Sequence, residues 1–128
     1  MGGQISVLLV DDDEQFLELV DDALQMAHIT VHTATNGRDG LKLAREHKPD
    51  VILLDVTMPE MDGLAVLNEL KNDDETAGVP VFMLTGQSIT DEAKQTFDAA
   101  ADFISKPVQL MRLAALIKTK LDKCRLKK

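Results

Sequence analysis

The 128-residue sequence contains one cysteine, no tryptophan and no tyrosine, and aromatic residues make up only 3% of it. A single thiol, Cys124, excludes an internal disulfide and is typical of a reducing compartment, so we expect a cytoplasmic protein. No hydrophobic run approaches the ~20 residues of a membrane-spanning helix, so we expect no membrane partner. So few aromatic side chains also leave little surface for stacking on nucleobases.

Basic residues are outnumbered by acidic ones, and the net charge of −8 argues against direct binding of nucleic acid. Residues 118–128 differ, because they carry six basic side chains and one acidic one, which leaves −13 on the rest of the chain. We expect one domain over 1–128 with its core at about 5–121. Residues 122–128 would then be a basic tail or the start of a linker, and the sequence leaves open whether the domain stands alone or belongs to a longer protein.

Short apolar runs alternate five times with segments of helical periodicity. We predict strands at 5–10, 30–34, 51–54, 81–84 and 103–105. We predict helices at 14–27, 38–47, 64–70, 90–99 and from 108 to about 121. The spacing of apolar residues in the first helix predicts one buried stripe of Phe16, Val20, Ala23, Leu24 and Ala27. Strict β–α alternation predicts an α/β fold: a doubly wound, five-stranded parallel sheet of order 2-1-3-4-5 with five helices, which is the flavodoxin-like arrangement.

Polar residues follow four of these strands directly. Asp11, Asp12 and Asp13 follow the first strand, and Asp55 follows the apolar run 51–54. Thr85 and Lys106 follow the fourth and fifth strands. Because parallel strands end at one edge of the sheet, we expect these side chains to meet there.

Several carboxylates at one edge repel one another unless a cation joins them, and oxygen ligands suit Mg²⁺. The sequence has no Cys/His ligand set for zinc, and its three histidines (His28, His32 and His47) are scattered, so we expect them on the surface. Lys106 and Thr85 add a cation and a hydroxyl, which suit an incoming phosphoryl group with Asp55 as the nucleophile.

The segment 55–64 reads Asp-Val-Thr-Met-Pro-Glu-Met-Asp-Gly-Leu, and a Lys-Pro pair stands at 106–107. With Val10-Asp11-Asp12 and Thr85, these residues resemble the receiver domain of bacterial two-component response regulators, of the chemotaxis-regulator type. The resemblance extends from Ile5 to about Leu121. It implies that Asp55 accepts a phosphoryl group from a sensor histidine kinase or a histidine phosphotransfer protein, and that the domain is a signalling module rather than a metabolic enzyme.

The resemblance also implies a role for each site residue. Asp12, Asp55 and the Thr57 backbone carbonyl would ligate Mg²⁺, and Asp11 would act through a metal-bound water. Thr85 and Lys106 would contact the phosphoryl group, and the domain would catalyse its own phosphotransfer and its own dephosphorylation.

The same resemblance makes Phe103 a switch aromatic that turns inward when Thr85 moves toward the phosphate. The output surface would be the face of the fourth helix, fifth strand and fifth helix. Plain core packing is the alternative for Phe103. Ala99 stands where the family often has glycine, which predicts a different shape for the end of the fourth helix if positive φ is needed there.

Other residues of the motifs have structural interpretations. Asp13 is expected to be a first-turn helix acid rather than a metal ligand, and Met58 and Met61 are expected to pack the loop. A phosphatase of haloacid-dehalogenase type is a second hypothesis, but it needs an acid two residues after the nucleophile, where Thr57 stands. A flavin-binding electron carrier is a third, and the lack of Trp and Tyr disfavours it.

Overall fold

The computed structural model describes residues 4–58, 61–86 and 89–126, so Pro59 of the 55–64 motif lies outside the described residues. The strands are β1 (Ser6–Val10), β2 (Thr30–Ala34), β3 (Val51–Asp55), β4 (Val81–Thr85) and β5 (Asp102–Ser105). The helices are α1 (Glu14–Met26), α2 (Gly37–His47), α3 (Gly63–Asn72), α4 (Asp91–Thr96) and α5 (Leu110–Leu126). All strand pairs are parallel and the order is β2-β1-β3-β4-β5, which confirms the predicted topology.

Alternate strand residues face opposite sides of the sheet and form two cores. The α1–α5 core combines strand residues with buried residues of α1 and α5: Val7, Leu9, Leu17, Val20, Leu24, Val51, Leu53, Phe82, Leu84, Ile104, Leu113, Ile117 and Leu121. The α2–α4 core uses the intervening strand residues and the other helices: Leu8, Val10, Leu41, Ala44, Ile52, Leu54, Val66, Leu67, Leu70, Val81, Met83 and Phe97. Burial on both faces explains the continuous apolar strand sequences.

The buried stripe of α1 differs slightly from the predicted one. Val20 and Leu24 are buried as predicted, but the third fully buried residue is Leu17. Phe16, which the periodicity placed in the stripe, is only half-buried at the edge of the α1–α5 core. The Phe16 side chain, in the first turn of α1, therefore lies toward the carboxyl end of the sheet and not fully inside the core.

Helix α4 is shorter than predicted, because it ends at Thr96 and not near Ala99. Phe97 caps the helix and is buried in the α2–α4 core, and the Ala101 N–H already donates to the Val81 carbonyl at 2.8 Å. The chain has to leave the helix this early in order to begin pairing with β4. Among the described non-glycine residues, positive φ occurs at His28 and Lys48, so Ala99 carries no such strain.

Helix α5 begins at Leu110 rather than Val108 and continues to Leu126. Val108 instead packs from the preceding loop against the α1–α5 core. Residues 122–126, predicted as a tail or linker, continue the helix and place Cys124 half-buried against that core. Within the part of the chain that the structure describes, no helix is both long and apolar enough to cross a bilayer.

Candidate functional site at the carboxyl end of the sheet

The strands that carry the predicted site residues end level with one another. Asp55 is in register with Leu84, and Thr85 is in register with Ser105, directly before Lys106. The Lys106 N–H donates to the Thr85 carbonyl at 2.8 Å, which holds the two strand ends together. Asp55 and Lys106 lie two positions beyond Leu53 and Ile104, so both continue the face of the sheet that carries the α1–α5 core.

Three carboxylates converge at this edge. One oxygen from each of Asp11, Asp12 and Asp55 lies within 4.8 Å of the others. Asp11 is 1% exposed and Asp55 is 8% exposed, whereas Asp12 is open to solvent. Oxygen donors at this spacing, with one side open to water, suit a hard divalent cation that keeps some of its hydration shell.

The ammonium of Lys106 reaches into the same cluster. Its Nζ lies 2.6 Å from Asp11 Oδ2 and 3.6 Å from Asp55 Oδ1, across 95 positions of sequence in the first case. The other Asp11 oxygen accepts the Asp13 N–H at 3.0 Å, so both oxygens of this buried carboxylate already accept hydrogen bonds. One cation thus pairs with two members of a cluster of three carboxylates, which leaves an excess of negative charge.

Burial and charge alter the acidity of two of these groups. Burial raises the pKa of Asp55 above its ordinary value, and the negative charge of Asp11 adds to this effect. Lys106 and the Thr57 N–H, which donates to Asp55 Oδ1 at 3.4 Å, act in the opposite direction but do not outweigh it. Burial lowers the pKa of Lys106, yet its hydrogen bond to Asp11 and the charges of Asp11 and Asp55 leave that pKa above the ordinary value.

The third aspartate of the β1–α1 loop has a structural role. Asp13 is the N-cap of α1, and its Oδ1 accepts the Phe16 N–H at 3.2 Å. It was expected in the first turn of the helix and lies one position earlier. Its carboxylate caps the helix and is not among the three carboxylates that converge.

The loop after Asp55 folds back onto the backbone of the strand end. Asp62 caps α3 by accepting the Ala65 N–H at 2.9 Å, and the Gly63 N–H donates to the Val56 carbonyl at 3.0 Å. A Cβ on Gly63 would lie against the Asp55 carbonyl oxygen and 2.9 Å from Val56 Cα. Glycine is therefore needed here because the two stretches of backbone approach closely, and not because of a positive φ. Met58 is buried and Met61 half-buried in the α2–α4 core, as predicted for loop packing.

Strand alternation places Thr85 and Phe103 on the α2–α4 face of the sheet, and Thr85 directly follows Leu84, the residue in register with Asp55. Phe103 is paired with Met83, whose side chain belongs to the α2–α4 core, and Thr85 is two positions beyond Met83. The Phe103 ring is half-buried and meets the buried Phe97 ring edge to face, with centroids 6.4 Å apart. Phe103 thus contacts the core and also lines a surface cavity of ≈410 Å³ between β5 and α5.

Two side-chain contacts at or near the sheet were not predicted from the sequence. The Phe16 ring lies under the Lys106 ammonium, 4.6 Å from Nζ to the ring centroid. His32 and His47, expected to be scattered on the surface, stack at 3.8 Å between α2 and the edge strand β2. Burial lowers the pKa of His32, with a further contribution from the charge of His47. Neither contact has a signal in the sequence, because both join side chains of different elements.

The comparisons with known proteins agree with this geometry. The response regulator receiver domain family matches residues 7–118. The chain belongs to that family. This receiver domain is 37% identical over 117 residues to the polar-differentiation response regulator DivK of Brucella anthropi, covering 91% of this chain and 95% of DivK.

The receiver domain is also similar to longer regulators and to solved structures. It is 36% identical to the DNA-binding dual master transcriptional regulator RpaA of Synechocystis, covering 90% of this chain but 48% of RpaA. It therefore spans about half the length of that relative. The structure of the chemotaxis protein CheY4 of Vibrio cholerae superimposes with a TM-score of 0.85 at 31% identity, covering 91% of this chain and 98% of CheY4.

The family assignment makes this chain a phosphoacceptor signalling domain of two-component systems. Domains of this family in general work with histidine kinases and output domains. The acidic cluster of Asp11, Asp12 and Asp55 could hold a metal ion. The comparisons favour the receiver family over the phosphatase hypothesis.

Proposed function

We propose that Asp55 is the phosphoacceptor of this receiver domain and that Lys106 and Thr85 bind the transferred phosphoryl group. One observation carries the proposal: Asp55 Oδ1 lies 3.6 Å from Lys106 Nζ inside a cluster of three carboxylates. That arrangement pairs a nucleophilic oxygen with a cation next to it. Phosphoryl transfer needs mainly positioning and neutralisation of charge, and these residues supply both.

In the proposed reaction, a carboxylate oxygen of Asp55 attacks the phosphorus of a phosphohistidine on a sensor kinase or a histidine phosphotransfer protein. The new bond is an acyl phosphate, the P–N bond breaks, and its electron pair returns to the imidazole of the donor. The Lys106 ammonium balances charge on the phosphoryl oxygens, and the Thr85 hydroxyl donates a hydrogen bond to one of them. Attack of water on the phosphorus later breaks the bond to the Asp55 oxygen, releases inorganic phosphate and regenerates the Asp55 carboxylate.

The donor set fits Mg²⁺. Asp12 and Asp55 would bind it directly with the Thr57 carbonyl, and Asp11 through a water, because both Asp11 oxygens already accept protein hydrogen bonds. The raised pKa of Asp55 supports this fit, since burial and a neighbouring carboxylate disfavour its ionised form and a divalent cation would favour it. When bound, Mg²⁺ would neutralise charge on the carboxylates and the phosphoryl oxygens.

We further propose that Thr85 and Phe103 couple phosphorylation to output. Both continue the same face of the sheet, so movement of Thr85 toward the phosphoryl group opens space in front of Phe103. The output surface would be the face of α4, β5 and α5. The ≈410 Å³ cavity there is lined by Phe103 and the exposed Leu116, so burial of the Phe103 ring would change its shape.

The domain would act as a switch in the cytoplasm, without turnover of a metabolite, nucleic-acid binding or membrane attachment. Residues 1–128 would form a single receiver domain. The acidic net charge supports the absence of nucleic-acid binding, and the single cysteine supports a cytoplasmic location. The partner that reads the switch would be an output protein or an output domain.

The test is to incubate the protein with Mg²⁺ and acetyl phosphate and to measure intact mass and the modified peptide. We expect one phosphoryl group on Asp55, none after addition of EDTA, and none in Asp55→Asn. Asp22→Asn, at an exposed position of α1, is the matched control and should be phosphorylated like the wild type. Phosphorylation elsewhere, or in Asp55→Asn to the same extent, would contradict the proposal.

A further inference from the structure

Lys106 contacts an aromatic ring as well as two carboxylates. Its Nζ lies 4.6 Å from the centroid of Phe16, within the distance at which an ammonium is attracted to the face of a ring. Phe16 belongs to the first turn of α1 and is half-buried at the edge of the α1–α5 core, beside the candidate site. The ring therefore packs against the core and also contacts the cation.

A closed set of contacts links Lys106, the β1–α1 loop and the first turn of α1. Asp11 Oδ2 accepts from Lys106 Nζ at 2.6 Å, and Asp11 Oδ1 accepts the Asp13 N–H at 3.0 Å. Asp13 Oδ1 then accepts the Phe16 N–H at 3.2 Å, and the Phe16 ring returns to Lys106. The carboxylate that binds Lys106 and the ring beneath it are therefore held by the same short loop.

We propose that Phe16 is a positioning residue for Lys106. This inference rests on the proposed function, in which Lys106 binds the phosphoryl group. Lysine has a long flexible side chain, and Asp11 at 2.6 Å holds its ammonium more closely than Asp55 at 3.6 Å. The ring attracts the ammonium without adding another negative charge. Lys106 can therefore move from Asp11 toward a phosphoryl group on Asp55 while it stays over the same ring.

The alternative role for Phe16 is that of an apolar wall. Its ring lines a shallow cavity of ≈450 Å³ together with Leu19, Pro107, Val108 and Leu110. Leucine would preserve such a wall but has no ring face, whereas tyrosine preserves both. Comparison of Phe16→Leu with Phe16→Tyr therefore separates packing from the attraction between ring and cation.

The first test measures the rate of phosphorylation by acetyl phosphate in Mg²⁺, a donor that needs no protein docking surface. We expect Phe16→Leu to slow the reaction about two- to fivefold and Phe16→Tyr to stay within about twofold of the wild type. In a Lys106→Ala background, Phe16→Leu should cause no further loss, because the effect passes through Lys106. Thermal unfolding of each variant checks that it is folded.

The second test does not depend on phosphorylation. In an NMR spectrum of protein with labelled lysine, the ε-protons of Lys106, assigned with Lys106→Arg, should lie upfield of the other lysine signals because of the Phe16 ring current. Phe16→Leu should abolish this shift and Phe16→Tyr should keep it.

The outcomes separate the two hypotheses. Two results would overturn this inference alone, provided that the wild type is phosphorylated. One is a Phe16→Leu variant that is phosphorylated as fast as the wild type. The other is a loss of rate from Phe16→Leu that is as large in the Lys106→Ala background as in the wild type. A Lys106 signal without an upfield shift would also overturn it. A wild type that takes up no phosphate overturns the proposed function together with the catalytic consequence of Phe16.

Discussion

The two ends of the sheet treat charge in opposite ways. At the carboxyl end, Asp11, Asp12 and Asp55 crowd together around one ammonium, and burial raises the pKa of Asp55. At the amino end, Asp50 Oδ2 accepts the Ser6 N–H at 2.8 Å and its other oxygen pairs with Arg125 at 3.2 Å.

Lys71 extends the contrast. It lies at the amino end and is half-buried there, where burial lowers its pKa, and its Nζ donates to the carbonyls of Ala77 and Val79. These donor–acceptor pairs join β1, β3, β4, α3 and α5 where the strands begin. The amino end thus uses its charges to hold elements together, whereas the carboxyl end keeps an unbalanced acidic cluster whose charge a bound cation would offset. We therefore expect the crowded carboxylates at the carboxyl end to lower the stability of the fold and the paired charges at the amino end to raise it.

The largest predicted effect concerns the backbone approach behind Asp55. Gly63→Ala should destabilise the protein by about 3 kcal/mol in urea unfolding, because the new Cβ meets the backbone of Asp55 and Val56 rather than a movable side chain. Gly78→Ala at the amino end is the control. A Cβ there has nothing within 4 Å, and the change should stay within about 0.5 kcal/mol. Equal losses of stability at Gly63 and Gly78 would contradict the predicted difference between the two positions.

The second prediction tests whether the charges at the amino end stabilise the fold. Asp50→Ala leaves the partly buried Ser6 N–H without its side-chain acceptor and should lower the free energy of unfolding by about 1–2 kcal/mol. Arg125→Ala removes only the ion pair, in which the arginine side chain is 54% exposed, and should cost less than about 0.5 kcal/mol. If Arg125→Ala costs as much as Asp50→Ala, the ion pair and not the hydrogen bond holds this end together.

The third prediction has the opposite sign. Asp55→Asn, measured in EDTA at pH 7.5, should stabilise the protein by about 1 kcal/mol because it removes a buried charge next to Asp11. The native pKa of Asp55 lies above 3.8, so the native state holds this proton more tightly than the unfolded state does. The destabilisation of the wild type is therefore present above the native pKa and disappears as the pH falls through it. Urea unfolding at pH 4.5 should show a smaller advantage for Asp55→Asn, and a larger one would contradict the argument.

Much of the site could be predicted because it depends on topology. Once five β–α units imply a parallel sheet, the residues after each strand must share an edge, so the approach of Lys106 to Asp11 and Asp55 follows without knowledge of side-chain packing. The end of α4 could not be predicted in the same way. Its helical pattern continues toward Ala99, but Phe97 is drawn into the core and Ala101 into pairing with β4.

The sequence alone determined the element order, the strand order, the two buried faces and the identity of the residues at the strand ends, because periodicity and β–α alternation are properties of neighbouring residues. The tertiary structure alone decided the close approach of Gly63 to Asp55 and the position of the Phe16 ring beside Lys106. The first is an approach between two stretches of backbone, and the second joins side chains of different elements. Both are set only when the helices pack against the sheet.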